Sequence, residues 1–396
     1  DVTFTYAEGA EQTLALSEAS VNNVTIDGNV VTTLTIATSV GASEVAAIDE
    51  ADDNLTDVTI TGDQDLTAAI TGFDTTADAI NVTGAAGAET LTLALTDDFT
   101  VDLGDGTDRV NADLNGTDLS DSFTASNVET LVATVIADGE TVDLTNASSV
   151  TTVGLQGNDG QTVTFSEVAD GSTVLFEGDG PEGNQDVGSV TVNVTDATAE
   201  AQAESLTVEV NNQGTAVGAN NEIEAGTLTA DNVSALTVNV ADGDADIDGV
   251  DADALTDLTI NSDGDVTLNG TAGGGATDTF SSLNAAGIAG AFTTTLVSNV
   301  SAGAVGENGT AGDNDDESAT FTYTGAQGAD KLTIEEQTAN YDDDITVTIA
   351  VNTGAGDDEV TMNDFENENV ISFNLGAGDD VLSAGQVIDS IAATED

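Results

Sequence analysis

Val, Ile, Leu and Thr alternate with polar residues along most of the chain, the period of a half-buried β-strand rather than a helix. Leu55-Thr-Asp-Val58-Thr-Ile60 runs into Asp63-Gln-Asp65-Leu66, and the theme returns as Leu255-Thr-Asp-Leu258-Thr-Ile260 followed by Asp263-Gly-Asp265-Val266. Val24-Thr-Ile26, Val190-Thr-Val192-Asn-Val194, Leu206-Thr-Val208-Glu-Val210 and Leu236-Thr-Val238-Asn-Val240 are variants of the same short strand. Each sets its apolar residues on one face, and Gly, Asp or Asn often follows. No single unit buries that face by itself. The pattern therefore predicts an all-β chain in which units stack at a period near ~20 residues as a parallel β-solenoid. Tandem β-sandwich domains are the competing architecture. Sandwich loops usually carry prolines and sandwich cores bulky aromatics, whereas this chain has one Pro, 11 Phe, three Tyr and no Trp. Gln12–Ser20 has room for a helical turn or two. Asp1–Tyr6 alternates like a strand that either caps its own solenoid or pairs with the edge of a neighbour.

Charge narrows the partners. Of 396 residues, 74 are acidic and only Arg109 and Lys331 are basic, a formal net charge of −72. Nucleic acid and anionic membrane surfaces are repelled by such a chain. No apolar run approaches the ~18 residues of a membrane span. The same charge opposes compaction, so salt or divalent cations must screen it.

With no Cys and no His, disulfides, thiolate or imidazole zinc sites, thiol nucleophiles and imidazole bases are all absent. One Lys and one Arg leave nothing for a phosphate clamp. The expectation is a protein that is not an enzyme.

Glycine and aspartate carry the remaining chemistry. Gly354-Ala-Gly356-Asp357-Asp358-Glu-Val360 recurs 22 residues later as Gly376-Ala-Gly378-Asp379-Asp380-Val-Leu382. Looser copies are Gly84-Ala-Ala-Gly87-Ala-Glu89-Thr-Leu91, Leu103-Gly104-Asp-Gly106-Thr-Asp108-Arg-Val110 and Gly325-Ala-Gln-Gly328-Ala-Asp330-Lys-Leu332. Glycines turn the backbone and expose carbonyls, and carboxylates follow at once. Hard cations such as Ca²⁺ take six to eight such oxygens. The candidate ligand positions are Gly354, Gly356, Asp357, Asp358, Gly376, Gly378, Asp379 and Asp380, then Gly104, Gly106, Asp108, Gly328 and Asp330. Arg109 and Lys331 both follow the nonad acid, where they read as local charge relief.

Asp244-Ala-Asp246-Ile-Asp248-Gly249 offers three further carboxylates at the spacing of an EF-hand loop, but position 12 is Leu255. A Ca²⁺ site in a solenoid turn, built from Asp244, Asp246 and Asp248, is the reading that survives. Asp342–Asp344 and Asp313–Glu317 read as solvated acidic turns.

These copies resemble the Gly-Gly-x-Gly-x-Asp-x-apolar nonad of RTX (repeats-in-toxin) proteins, although Thr353 and Leu375 stand where the first glycine belongs. The whole chain is similar in style to RTX-type surface-layer and extracellular-filament proteins. That resemblance implies type I secretion, folding on Ca²⁺ outside the cell, and self-assembly into a coat or fibre. An adhesin module that binds a cell-surface ligand is the alternative. Punctuation suggests solenoid segments at 1–178 and 189–302 around a Gly/Pro linker at 179–188. An acidic loop at 303–318 and a nonad-bearing β-roll at 319–396 follow.

Overall fold

The computed structural model describes residues 2–5, 9–27, 31–74, 76–77, 79–179, 185–195, 204–211, 222–241, 243–252, 254–270, 280–298, 318–336, 346–363, 370–384 and 391–393. They form strands and no helix, and every pairing between named strands is parallel. The fold is a parallel β-solenoid. Parallel ladders leave no place for the antiparallel sheets of a sandwich. Acidic segments 313–317 and 342–344, and all but Ser318 of the 303–318 loop, lie outside the described residues.

The chain divides into two compact units, Asp1–Ala169 and Asp170–Asp396. In the first, one sheet climbs from Val2–Thr5 through Ser20–Asp27, Ser43–Glu50, Leu66–Thr71, Glu89–Ala94, Arg109–Asp113 and Thr130–Val135 to Thr152–Gln156. A second climbs from Glu11–Ser17 through Thr33–Ser39, Asp57–Thr61, Ile80–Ala85 and Phe99–Gly104 to Thr124–Ser126. In the other unit one sheet runs from Thr173–Glu177 through Glu204–Asn211, Val233–Val240, Asp257–Ser262, Ser282–Ile288, Ser318–Thr324 and Thr346–Asn352 to Val370–Asn374 and Ile391–Ala393. Its companion joins Glu222–Thr229, Asp244–Asp251, Val266–Leu268, Phe292–Ser298, Lys331–Glu336, Glu359–Asn363 and Val381–Ala384.

Stacking in register turns each sequence position into a column. Leu206, Leu236, Leu258, Leu283, Tyr323, Val351 and Phe373 occupy one inward column, coil upon coil. All seven are buried. Thr173, Thr207, Thr237 and Thr259 form an adjacent outward column. The Leu-Thr-Asp theme repeats in atomic detail. Thr56 Oγ1 donates to Asp57 Oδ2 (2.8 Å) while its N–H donates to Thr32 O, and Thr256 Oγ1 donates to Asp257 Oδ2 (2.7 Å) while its N–H donates to Ser234 O.

Two expectations change. Gln12–Ser20 is not helical: Glu11–Ser17 and Ser20–Asp27 are strands. Leu14 and Leu16 recur at a spacing of two, and pairing with Thr33–Ser39 buries them as a strand face. Coil length is also looser than one period. Bonded equivalents lie 19 residues apart at Glu89 and Asp108 but 38 apart at Phe292 and Asp330. Only strands must stay in register; the connections absorb the difference. Val2–Thr5 pairs with Ser20–Asp27, a rung of its own solenoid.

Candidate functional site

The nonad acid sits at the entry to a strand: Asp108, Asp330, Asp358 and Asp380 just precede one and Glu89 opens one. Asp108, Asp330 and Asp358 are each 1% exposed. Because strands stack in register, so do these acids. The Phe292 N–H donates to Asp330 Oδ1 (3.0 Å), the Asp330 N–H to Asp358 Oδ1 (2.8 Å) and the Asp358 N–H to Asp380 Oδ1 (3.0 Å). Each carboxylate thus accepts the amide of its equivalent one coil earlier.

The first unit repeats the device. The Glu89 N–H donates to Asp108 Oδ1 (2.7 Å), and the Asp108 N–H to Glu129 Oε2 (2.7 Å). An outer row runs the opposite way. Asp357 Oδ1 accepts the Asp379 N–H (2.8 Å), Asp244 Oδ1 that of Asp265 (2.8 Å), Asp265 Oδ1 that of Ala291 (2.7 Å) and Asp65 Oδ1 that of Ala88 (2.9 Å).

Glycine makes this corner possible. A Cβ on Gly378 would lie 1.7 Å from the Gly356 carbonyl oxygen, and one on Gly356 would lie 2.3 Å from that of Gly328. Gly106 stands in the same relation to Gly87, at 2.3 Å. Gly354, Gly376 and Gly104 take positive φ, at +99, +78 and +83, a region L side chains disfavour. Carbonyls therefore pile up beside the carboxylates, at a coil spacing of ~4.8 Å.

The acids differ in how fully they are bonded. Glu89 is fully buried, and neither of its carboxylate oxygens has a hydrogen-bond partner. Asp108 Oδ2 and Asp358 Oδ2 are likewise buried and unpartnered. Burial, reinforced by the charge of Asp108 and only partly offset by the nearby Ala85 amide, which falls short of hydrogen-bond geometry, pushes the Glu89 carboxyl up to about 8. Burial also raises Asp108. Two ionised carboxylates are acceptors facing acceptors. A proton on Glu89 supplies the missing donor, and a cation between them would supply the missing charge. Burial pushes Asp330 up to about 6, against the lowering effect of amide donors from Ala326 and Phe292.

The structure brings Gly328, Asp330, Gly354, Gly356, Asp357, Asp358, Gly376, Gly378, Asp379 and Asp380 together in consecutive coils, and Gly104, Gly106 and Asp108 with Glu89 and Glu129 in another stack. It does not make a turn of Asp244, Asp246 and Asp248. They lie within the strand Asp244–Asp251, alternating with buried Ala245, Ile247 and Gly249. Spacing at i, i+2 and i+4 is shared by a ligand loop and by one face of a strand, and the strand wins here because Ala245 and Ile247 need burial. Asp246 lies beside Glu224 across the sheet, and burial together with Asp248 and Glu224 raises its carboxyl.

Lys331 projects outward beside Glu359, and Arg109 Nε donates to Asn111 Oδ1 (2.6 Å). Glu89 and Glu129 were not singled out as ligands from sequence. The signal that finds them is an acid at the entry to a strand, as at Glu89, Asp108, Glu129, Asp330, Asp358 and Asp380.

Among the described residues no three acidic side chains converge on one point to hold a metal ion. An ion would draw on one or two carboxylates, glycine carbonyls and water. Glu89, Asp108 and Asp358, with open buried oxygens in an all-oxygen setting, fit a hard cation. Comparison with protein-family models, curated proteins and solved structures found no match to this chain.

Proposed function

We propose that this chain is an extracellular structural protein of the nonapeptide-repeat kind, whose coils are locked by Ca²⁺ and which then assembles with copies of itself into a surface layer or filament. One observation carries the reading. Buried carboxylate oxygens without partners are stacked coil on coil, at Glu89 with Asp108 and at Asp358 beneath Asp330, in a chain of net charge −72. Leaving a buried charged acceptor unpaired costs several kcal/mol. Binding a divalent ion from glycine carbonyls and these oxygens removes that cost and couples folding to the metal. Extracellular modules of this type bind at ~10⁻⁴–10⁻³ M, which matches media rich in Ca²⁺. Copies that repel one another come together only once such ions have reduced their charge.

Electron microscopy and circular dichroism of the purified chain at low ionic strength, in excess EGTA and after millimolar Ca²⁺, test this. Ordered polymers and a gain of β-signal on adding Ca²⁺ are expected. Unchanged β-signal and unchanged assemblies in the two conditions would overturn it.

A further inference from the structure

Asp330 is bonded unlike every other nonad acid described. Oδ1 accepts the Phe292 N–H (3.0 Å), while Oδ2 accepts both the Ala326 N–H (2.8 Å) and the Tyr323 hydroxyl (3.2 Å). No buried oxygen of this carboxylate is left open. Gly325 makes room for it, since a Cβ there would lie 2.3 Å from Asp330 Oδ2. Tyr323 is fully buried, its ring stacked on Phe292 at 6.4 Å between centroids, which fixes the hydroxyl.

Register shows what is special about this coil. Tyr323, Val351 and Phe373 are equivalents in successive coils, and Val82 and Val101 precede the other nonads at the same offset. None of these four has a hydroxyl. Where Val351 replaces the tyrosine, Asp358 keeps an open buried oxygen; where Val101 stands, so does Asp108.

We propose that the Tyr323 hydroxyl occupies the position a cation would take at Asp330, so that the coil around residues 321–334 is a metal-independent anchor within an otherwise cation-dependent acidic ladder. This rests on the calcium reading for the neighbouring coils. The donor set supports it directly: one hydroxyl and two amides complete a buried carboxylate with neutral groups, and no further ligand is wanted. An anchor of this kind holds the register of Lys331–Glu336 and gives the coil that follows a template on which to close.

Hydrogen exchange of the full chain tests the proposal, for the wild type and for Tyr323→Phe, in EGTA and in millimolar Ca²⁺. In the wild type, amides of 321–334 are expected to be equally protected in both conditions. In Tyr323→Phe their protection is expected to fall about tenfold or more in EGTA, the worth of a hydrogen bond to a charged group. Ca²⁺ should restore it, by binding the oxygen that the hydroxyl has left. Loss of protection at 321–334 in the wild type on chelation would overturn the proposal. So would a Tyr323→Phe chain whose 321–334 amides are unaffected in EGTA, or weakened to the same degree with and without Ca²⁺. Amides of 349–362 report on the calcium reading separately: if they ignore chelation in the wild type, that reading fails whatever Tyr323→Phe does.

Discussion

Replacing Glu89 with Gln removes one titratable carboxyl from a buried pair while keeping the side chain's shape. The Glu89 carboxyl rises from its ordinary 4.5 to about 8, because it is buried and then because Asp108 faces it. Each acid raises or lowers the other's affinity for a proton, so the titration belongs to the pair. The folded chain holds a proton that the unfolded chain releases near 4.5. The stabilisation is therefore fully present below that pH and is lost as pH rises towards 8. At about 1.4 kcal/mol per unit, on the order of 3 kcal/mol has gone by pH 7. Gln carries no such penalty, and its amide can donate to Asp108 Oδ2, which has no partner in the wild type. Urea unfolding in EGTA, followed by circular dichroism between pH 4.5 and 8.5, measures the difference. Wild type and Glu89→Gln should coincide near pH 4.5, and the variant should be the more stable by roughly 2–3 kcal/mol at pH 7. In millimolar Ca²⁺ the order should reverse, because only the wild type offers the cation a second charge. Equal pH slopes in EGTA, or a variant less stable than the wild type at pH 7, would refute the buried, interacting pair.

Gly376→Ala places a Cβ 1.8 Å from the Gly354 carbonyl oxygen at a residue with φ of +78; a loss of at least about 2 kcal/mol is expected from the left-handed backbone and the forced separation of coils. Calorimetry should show it as a melting temperature several degrees lower. Val40→Gly should work the other way. Val40 is a β-branched residue at φ +74 and 77% exposed, so glycine relieves backbone strain and forfeits little packing. A gain of about 1 kcal/mol in chemical unfolding is expected.

The strand alternation is legible in sequence because each coil repeats the same physical problem, one apolar face with nothing to cover it but the next coil. Leu55-Thr-Asp-Val58 and Leu255-Thr-Asp-Leu258 announce identical local geometry, and the structure supplies it. The paired nonads are legible for the same reason: glycine is needed wherever a Cα must pass under a carbonyl, as at Gly356 and Gly378. What sequence does not reveal is which acids meet. Glu89 finds Asp108 across 19 residues and Asp330 finds Asp358 across 28, and no fixed period connects both pairs. Asp244, Asp246 and Asp248 misled for a related reason. Their spacing suits a ligand loop, and only burial of the residues between them decides for a strand.

The direction of each side chain sets the two basic residues on the opposite face of the strand from the inward acids. Side chains alternate along a strand, so the residue after an inward acid faces out. Arg109 follows Asp108 and Lys331 follows Asp330, and each begins a strand on the outer face. Arg109 Nε donates to Asn111 Oδ1 on that face, and Lys331 lies beside Glu359. One oxygen of Asp108, Asp330 and Asp358 is answered by the amide of the coil before, a charge-assisted bond that stacking alone provides, whereas Glu89 has neither oxygen answered in this way. The second oxygen is left to a further amide, as the Ala326 N–H at Asp330, or to a proton, a hydroxyl or an ion from solution. Tyr323 supplies the hydroxyl at Asp330. At Asp358 and at Glu89 with Asp108 no side chain does. On the reading proposed for this chain, those are the rungs where the surrounding medium decides whether the solenoid closes.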